Sequence, residues 1–371
     1  MTAPVRLIAF YLPQYHPIPE NDGWWGKGFT EWRNVIQAKP LFRGHYQPHV
    51  PGELGYYDLR VPEVRAAQAE LARAYGIYGF CYYHYWFKGR RLLERPFNEV
   101  LTSGQPDLPF CLCWVNESWR RAWDGRSGEY LLQQEYSASD DRAQIQWLAR
   151  AFKDPRYIRV GEKPLFLIYR ASNIPDSLTT TSTWRQEARK LGIGEIYLCR
   201  VESFSDEHDD PTLLGFDAAV EFQPDWTNIG EPLRRTEYWR RLRQLGLSDK
   251  VYSENRIYDY ATVATRMMQK PRAPYTRFPC VMPSWDNTAR RKTEAVIFKG
   301  ATPSLYENWL KATIAKFKPP TPDENLIFVN AWNEWGEGNH LEPDQRNGRA
   351  YLESTRRALE YANTKTSESR S

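Results

Sequence analysis

Two glutamates three residues apart, Glu334 and Glu337, stand in the segment Ile327-Phe-Val-Asn-Ala-Trp-Asn-Glu-Trp-Gly-Glu-Gly, directly after an apolar run with the composition of a buried strand. Cleaving a glycosidic bond takes one carboxyl that donates a proton and a second that acts as nucleophile or base. An apolar pocket lined by Trp raises the pKa of the donor. A helical turn would bring both carboxyls to one side of the chain. The plainer alternative is a surface turn with two solvated carboxylates; Asn333 and the flanking Trp332 and Trp335 argue against it.

Similar residue types collect at the ends of other apolar runs. The first run ends in Tyr11, Gln14 and His16, and the loop beyond it adds Trp24, Trp25 and Glu31. A second ends in Tyr83-His84-Tyr85-Trp86, and a third in Trp114, Asn116 and Glu117, followed by Arg121 and Trp123. Later runs contribute Glu221 and Trp285. With 54 Phe, Trp and Tyr among 371 residues, 15% of the chain, aromatic faces are abundant enough to stack on the C–H faces of sugar rings. Amides and carboxylates would take the hydroxyls. We therefore place all of these, with Asn333 and Trp335, in a substrate-binding set around the two glutamates. Glu117 has three readings: proton donor, since an Asn-Glu pair ending a strand imitates the acid/base arrangement of other barrel glycosidases; ligand of a substrate hydroxyl; or ion-pair partner of Arg120 or Arg121. The last two are favoured, and Glu31 and Glu221 are weaker candidates of the same kind. His84 is either a core histidine or a hydroxyl-recognising one.

These groups need elements to hold them. Strands are expected near Arg6–Tyr11, Ile77–Tyr83, Pro109–Asn116, Pro164–Tyr169, Ile196–Glu202, Ala218–Gln223, Phe278–Pro283 and Leu326–Trp332, several apolar on both faces as parallel strands between layers must be. Helical spacing falls between and after them, as in Val64, Ala67, Leu71 and Ala74, or in Ile145, Leu148 and Phe152 behind the candidate caps Ser139 and Asp140. Eight strands alternating with helices predict an α/β fold of the (β/α)8 type, whose chemistry lies where the strands end. An open doubly wound sheet would carry a Gly-rich phosphate turn after its first strand, where this chain reads Tyr11-Leu-Pro-Gln-Tyr-His-Pro-Ile-Pro. Two long connections, Pro13–Val61 and Pro224–Tyr260, have the length of site walls or lids; the second carries Tyr238, Trp239, Leu242 and Leu245 as a short inserted helix. One catalytic domain is expected over 1–362, with a disordered tail over 363–371.

Composition excludes other classes. Fifty basic and 46 acidic residues leave +4, too little and too dispersed for a nucleic-acid footprint. No apolar run approaches the roughly 20 residues of a membrane span. Five scattered cysteines in apolar runs read as buried thiols of a reducing compartment, and no charged-then-apolar leader opens the chain, so a cytoplasmic location is expected. No His-x-His, His-Glu-x-x-His or paired-Cys motif is present, and His45, His49 and His340 lack ligand spacing, so neither metal nor cofactor is expected. No Ser or Cys sits in a nucleophile elbow.

The segments Phe10-Tyr-Leu-Pro-Gln-Tyr-His-Pro-Ile-Pro-Glu-Asn-Asp, Trp24-Trp-Gly-Lys-Gly-Phe-Thr-Glu-Trp, Gly79-Phe-Cys-Tyr-Tyr-His-Tyr-Trp-Phe and Trp332-Asn-Glu-Trp-Gly-Glu-Gly resemble the WbsX-type family, from about residue 6 to about residue 362. That family is related to the family 99 glycoside hydrolases, the endo-α-mannosidases, which are retaining (β/α)8 enzymes needing no metal. Members often carry a glycosyltransferase description tied to bacterial surface polysaccharide synthesis. The Asn-Glu-Trp-x-Glu-Gly motif of the hydrolases matches Asn333, Glu334, Trp335, Glu337 and Gly338. The resemblance implies that Glu334 deprotonates the sugar's own 2-hydroxyl, which displaces the leaving group through a 1,2-anhydro sugar, and that Glu337 is the general acid and then the base for water. Relatives commonly carry His where this chain has Gly336. The residues themselves support two cooperating carboxylates and leave a covalent glycosyl-enzyme equally open.

The leading expectation is thus a retaining, endo-acting glycoside hydrolase on a bacterial polysaccharide or oligosaccharide, working as a monomer or small homo-oligomer. A glycosyltransferase or transglycosylase of O-antigen synthesis is the second, although no phosphate cradle or Asp-x-Asp is evident; a carbohydrate-binding protein without activity is the third. Three arginine pairs after strand ends, Arg90-Arg91, Arg120-Arg121 and Arg290-Arg291, could form a basic rim for an anionic glycan, or be solvated loop charge.

Overall fold

The computed structural model describes residues 4–120, 129–204, 207–234, 241, 244–245, 250–291 and 293–368, with side chains through Tyr361. Arg121, Trp123, Tyr238, Trp239 and Leu242 lie outside the described residues.

Nine parallel strand segments form one sheet: β1 (Arg6–Tyr11), β2 (Gly79–Phe87), β3 (Phe110–Trp114), β4 (Lys163–Ile168), β5 (Tyr197–Glu202), β6 (Ala218–Glu221), β7 (Arg277–Phe278), β8 (Cys280–Val281) and β9 (Leu326–Val329). Their spatial order is β7-β6-β5-β4-β3-β2-β1-β9-β8. The two ends of the sheet are consecutive pieces of chain on either side of Pro279. Val220 pairs with Phe278 on one side, and Cys280 with Phe328 on the other. The expected seventh strand is therefore two short ones, because Pro has no N–H to donate to a ladder. The result is a nearly closed α/β barrel of the expected (β/α)8 type. Its interior is aromatic: Phe10 packs against Tyr83, Phe222 and Phe328 at centroid distances of 5.7, 5.4 and 5.5 Å. Gly79 is needed where β2 meets the Pro109 backbone, since a Cβ there would stand 2.3 Å from the Pro109 oxygen.

Outside the strands run α3 (Pro62–Ala74), α4 (Arg95–Ser103), α5 (Ala138–Phe152), α6 (Ser177–Lys190), α7 (Tyr260–Gln269), α8 (Pro303–Lys316) and α9 (Ala350–Glu368). Side-chain oxygens of Asp176, Asp259 and Thr302 cap α6, α7 and α8. The cap of α5 is Ser137, which accepts from the Asp140 N–H, rather than Ser139 or Asp140. One feature departs from a regular alternation. After β5 the described residues hold a 3-10 turn, Pro211–Leu214, where a full helix is expected, and α9 is the longest helix among the described residues.

The connection from β1 to α3 holds two short helices, α1 (Pro19–Trp25) and α2 (Trp32–Gln37). The connection after β6 contributes strand Arg256–Asp259, which pairs with Val296–Lys299 outside the barrel sheet. All five cysteines are buried free thiols. Among the described residues, no helix is long and apolar enough to cross a membrane.

Candidate active site

The chain leaving β9 is clasped to the loop leaving β1. Leu12 donates its N–H to Asn333 Oδ1 at 2.8 Å, and Asn333 Nδ2 donates to the Leu12 carbonyl at 3.0 Å. Tyr15 adds a second tie, donating its hydroxyl to the Asn333 carbonyl at 2.6 Å and accepting from the Trp335 N–H at 3.2 Å. Between these ties and a short antiparallel pairing of Asn333–Glu334 with Asn339–His340, residues Trp335–Glu337 form one 3-10 turn. Such a turn repeats every three residues, so Glu334 and Glu337 share a side of the chain. Gly338 ends it at φ 55°, where a Cβ would also press on Asp286 at 3.0 Å.

One guanidinium spans the acids. Arg290 Nη2 lies 2.8 Å from Glu334 Oε2, Nη1 lies 2.7 Å from Glu337 Oε1, and Nε lies 2.7 Å from Glu31 Oε1. Glu31 and Glu334 are buried, and Glu337 is partly exposed. Burial, reinforced by Glu337 and Glu31, pushes the Glu334 carboxyl up to about 8 against the opposing Arg290 charge. Burial likewise raises Glu337, which Arg290 and Arg291 pull back down. Both carboxyls thus hold protons more tightly than an exposed glutamate.

Glu334 lies where two lobes of a cleft meet. The lobe of about 750 Å³ is lined by Gln14, Asn21, Trp25, Trp119, Tyr130 and Tyr136, among others. The lobe of about 620 Å³ is lined by Tyr83, Tyr169, Phe204, Phe222, Trp226, Tyr258 and Trp285 together with Glu337. Tyr85, Glu117, Arg290, Arg291 and Glu334 border both. Glu117 faces this space with no hydrogen-bond acceptance among the described residues, and burial raises its carboxyl against the pull of Arg170 and Arg120. Of the expected binding set, Gln14, Trp25, Tyr83, Tyr85, Glu117 and Trp285 border the cleft, and Glu31 lies beneath Arg290.

The others are turned away. On a strand, neighbouring side chains point to opposite faces, and the outward set meets the helices. Tyr11 donates to Gln68 of α3 at 2.7 Å. His84 stacks on Trp147 of α5 at 4.9 Å, and Trp86 Nε1 donates to both Asp140 oxygens at 3.0 Å. Trp114 packs on Trp184 of α6 at 5.8 Å. Glu221 pairs with Lys270 beyond α7. His16 is buried with Nδ1 against the Pro13 carbonyl at 2.9 Å. Asn116 bridges β3 and β4, bonding both the N–H and the carbonyl of Arg170, and Asn333 is the clasp described above. Trp335 is 1% exposed, stacked 3.7 Å from His340 and donating Nε1 to Glu342 Oε2 at 2.6 Å. Trp24 packs edge-on to Trp119 at 5.6 Å, one layer behind the cleft. The basic rim also changes membership: Arg90 pairs with Glu20 and Arg91 covers Trp147, while Arg120, Arg170, Arg256, Arg290 and Arg291 line the cleft.

Several contributors carried no signal of their own. Arg290 stood out only as half of a pair, Tyr169 and Phe222 lay inside expected strands without being placed in the binding set, and Trp226 and Tyr258 come from a connection without a motif. Glu342, raised to about 7 by burial, accepts from Tyr57, Gln68 and Trp335 behind the turn. The histidines without ligand spacing do converge in space. His49 Nδ1 is 2.8 Å from His340 Nε2, and their donor atoms and Asp344's lie within 4.8 Å of one another. His340 Nδ1 contacts the Glu342 carbonyl at 2.9 Å, so its Nε2 is placed to accept from His49, while Asp344 stands 4.0 Å from His340 and accepts from Asn347.

An α/β barrel with two glutamates at the strand ends of an aromatic cleft has the fold of glycoside hydrolases. The endo-α-mannosidase of family GH99 from Bacteroides thetaiotaomicron is similar over 98% of both chains, with a TM-score of 0.58 and 15% identity. A solved structure described as a glycoside hydrolase-like protein is similar over 96% of this chain and 94% of its own, with a TM-score of 0.59 and 13% identity. The chain belongs to the WbsX family: the family model described as Glycosyltransferase WbsX matches residues 7–355. Two proteins named WxcX, from Xanthomonas campestris pv. campestris strains B100 and ATCC 33913, are each 47% identical over 359 residues, 96% of this chain. The chain spans about half the length of these curated relatives.

Proposed function

We propose that the protein is a retaining, endo-acting glycoside hydrolase of a bacterial surface polysaccharide or oligosaccharide, with Glu334 and Glu337 as its reacting carboxyls. The observation that carries this reading is the position of Glu334, held with Glu337 by one guanidinium at the junction of two cleft lobes. A groove extending to both sides of the acids suits cleavage within a chain, with Trp and Tyr faces available for sugar rings on either side. Arg120, Arg256 and Arg291 on its walls favour a glycan bearing negative charge. The family resemblance makes Glu334 the base toward the 2-hydroxyl and Glu337 the acid. Burial raises both carboxyls, so either can hold the proton that the acid must supply, and the two Gln variants assign the roles.

The test is to incubate the purified protein with the glycan made by its own gene neighbourhood, beside Glu334→Gln and Glu337→Gln. Reducing ends released by the wild type alone support hydrolysis. A leaving group with a low pKa restores the variant lacking the proton donor and not the one lacking the base. A second reading, transfer to a sugar acceptor through the same carboxylates, is favoured by the family's description as a glycosyltransferase. Activity that requires a nucleotide-sugar and survives both substitutions would overturn the mechanism.

A further inference from the structure

Three carboxyl groups meet one guanidinium in the cleft floor, and each takes a different nitrogen. Were Glu31, Glu334 and Glu337 all ionised, three negative charges would meet the single guanidinium of Arg290, with Arg291 a further cation acting on Glu337 from the cleft wall, and the largely buried cluster would still be net negative. Buried charge without compensation is costly, and carboxyls that share a site do not all ionise together. The cluster therefore retains a proton. Arg290 is itself well placed to fix where the charge goes. It follows the 3-10 turn Asn287–Ala289, which Asp286 caps, and the Asp286 N–H donates to the Glu337 carbonyl at 2.6 Å. The backbones carrying the cation and the acid are thus tied together.

The third carboxyl fits only because residue 336 has no side chain. A Cβ on Gly336 would stand 2.0 Å from Glu31 Oε1 and 2.8 Å from Arg290 Nε, although nothing in the Gly336 backbone conformation demands glycine. Glycine here is a matter of space. Glu31, from the N-terminal edge of α2, fills the place a side chain at 336 would take, and from there holds the Nε face of Arg290.

Resting on the hydrolase reading for its purpose, we infer that Arg290 is a positioning residue that keeps Glu334 and Glu337 in unlike protonation states, and that Gly336 is required because it admits the Glu31 carboxylate that orients Arg290. Each glutamate contacts Arg290 through one oxygen. The arrangement gives an enzyme its acid and its base from two chemically identical side chains.

Carbon-13 titration of the Glu334 and Glu337 carboxyls, assigned with the two Gln variants, tests this without any substrate. Arg290→Gln should move the ionisation of the charged member to higher pH by about one unit or more, and Arg290→Lys should move it less. Gly336→Ala should perturb the titration strongly in the wild-type background and clearly less in a Glu31→Ala background, where the nearer colliding group is gone and the 2.8 Å approach to Arg290 Nε remains. Where cleavage is measurable, the acidic limb of the rate profile should shift with the titration. Unchanged midpoints in folded Arg290→Gln protein would overturn the inference, as would an equal effect of Gly336→Ala in both backgrounds. If Arg290→Gln does not fold, Arg290→Lys and the Gly336–Glu31 cycle decide the matter. A wild type that cleaves no glycan would end the hydrolase reading while leaving this titration interpretable.

Discussion

Along β2, Tyr83 and Tyr85 border the cleft, while His84 and Trp86, interleaved with them, are spent on the helix layer. The same division separates Glu117 from Asn116 and Trp114 on the neighbouring strand end. Residue type does not distinguish the two groups; parity along the strand does. An aromatic-rich strand end therefore contains two populations. One faces the cleft, and the other spends the same chemistry on holding the barrel to its helices.

Substitutions on the two sides should separate cleanly. The largest expected effect is on turnover: Glu334→Gln and Glu337→Gln should each lower glycan cleavage by about 10²–10⁴-fold with unchanged melting. His84→Phe should leave turnover within about twofold, since its ring touches Trp147 and not the cleft; a catalytic loss there would break the division. Trp335→Ala should cost about 3–5 kcal/mol of stability by denaturant unfolding, as a buried Trp that also donates to Glu342. Trp226→Ala, on the cleft wall, should instead weaken glycan binding in calorimetry with a much smaller melting shift.

Acid supplies a third contrast. Burial lowers His16 to about 4 and His84 to about 3. The unfolded chain protonates these groups near pH 6.5, whereas the folded one resists until far lower pH. Stability is then present above the unfolded value and lost as pH falls below it. The histidines therefore pull melting temperature down between about pH 6.5 and 4, against the opposite pull of the raised Glu334 and Glu342 carboxyls, and the acid side of the melting profile should be less steep in His84→Phe than in the wild type. The smallest expected effect is none: dialysis against a chelator should leave cleavage unchanged, because the two imidazoles bond each other and the Glu342 carbonyl. A chelator that abolished activity would require a different account of that cluster.

Much of the frame was legible because its signals are local. Apolar runs located the barrel strands to within a few residues, and Pro279 splits the seventh by removing a donor. The glutamate pair was legible because a three-residue spacing just past a strand has few alternatives. Side-chain direction was less so. Trp335 and Asn333 flank the acids in sequence, yet the ties to Tyr15, Leu12 and Glu342 turn them inward. Arg290 was hidden for the opposite reason: its partners lie 259, 44 and 47 positions away, the last being 337 minus 290. Contacts at that range leave no period to read.

The Leu12–Asn333 clasp has a consequence for how the protein is made. Its two halves are 321 positions apart, so the loop bearing both acids cannot take its working shape until the last barrel strand has emerged and closed against the first. While the residues between the two halves of the clasp are being made, the turn that carries Glu334 and Glu337 has nothing to close against.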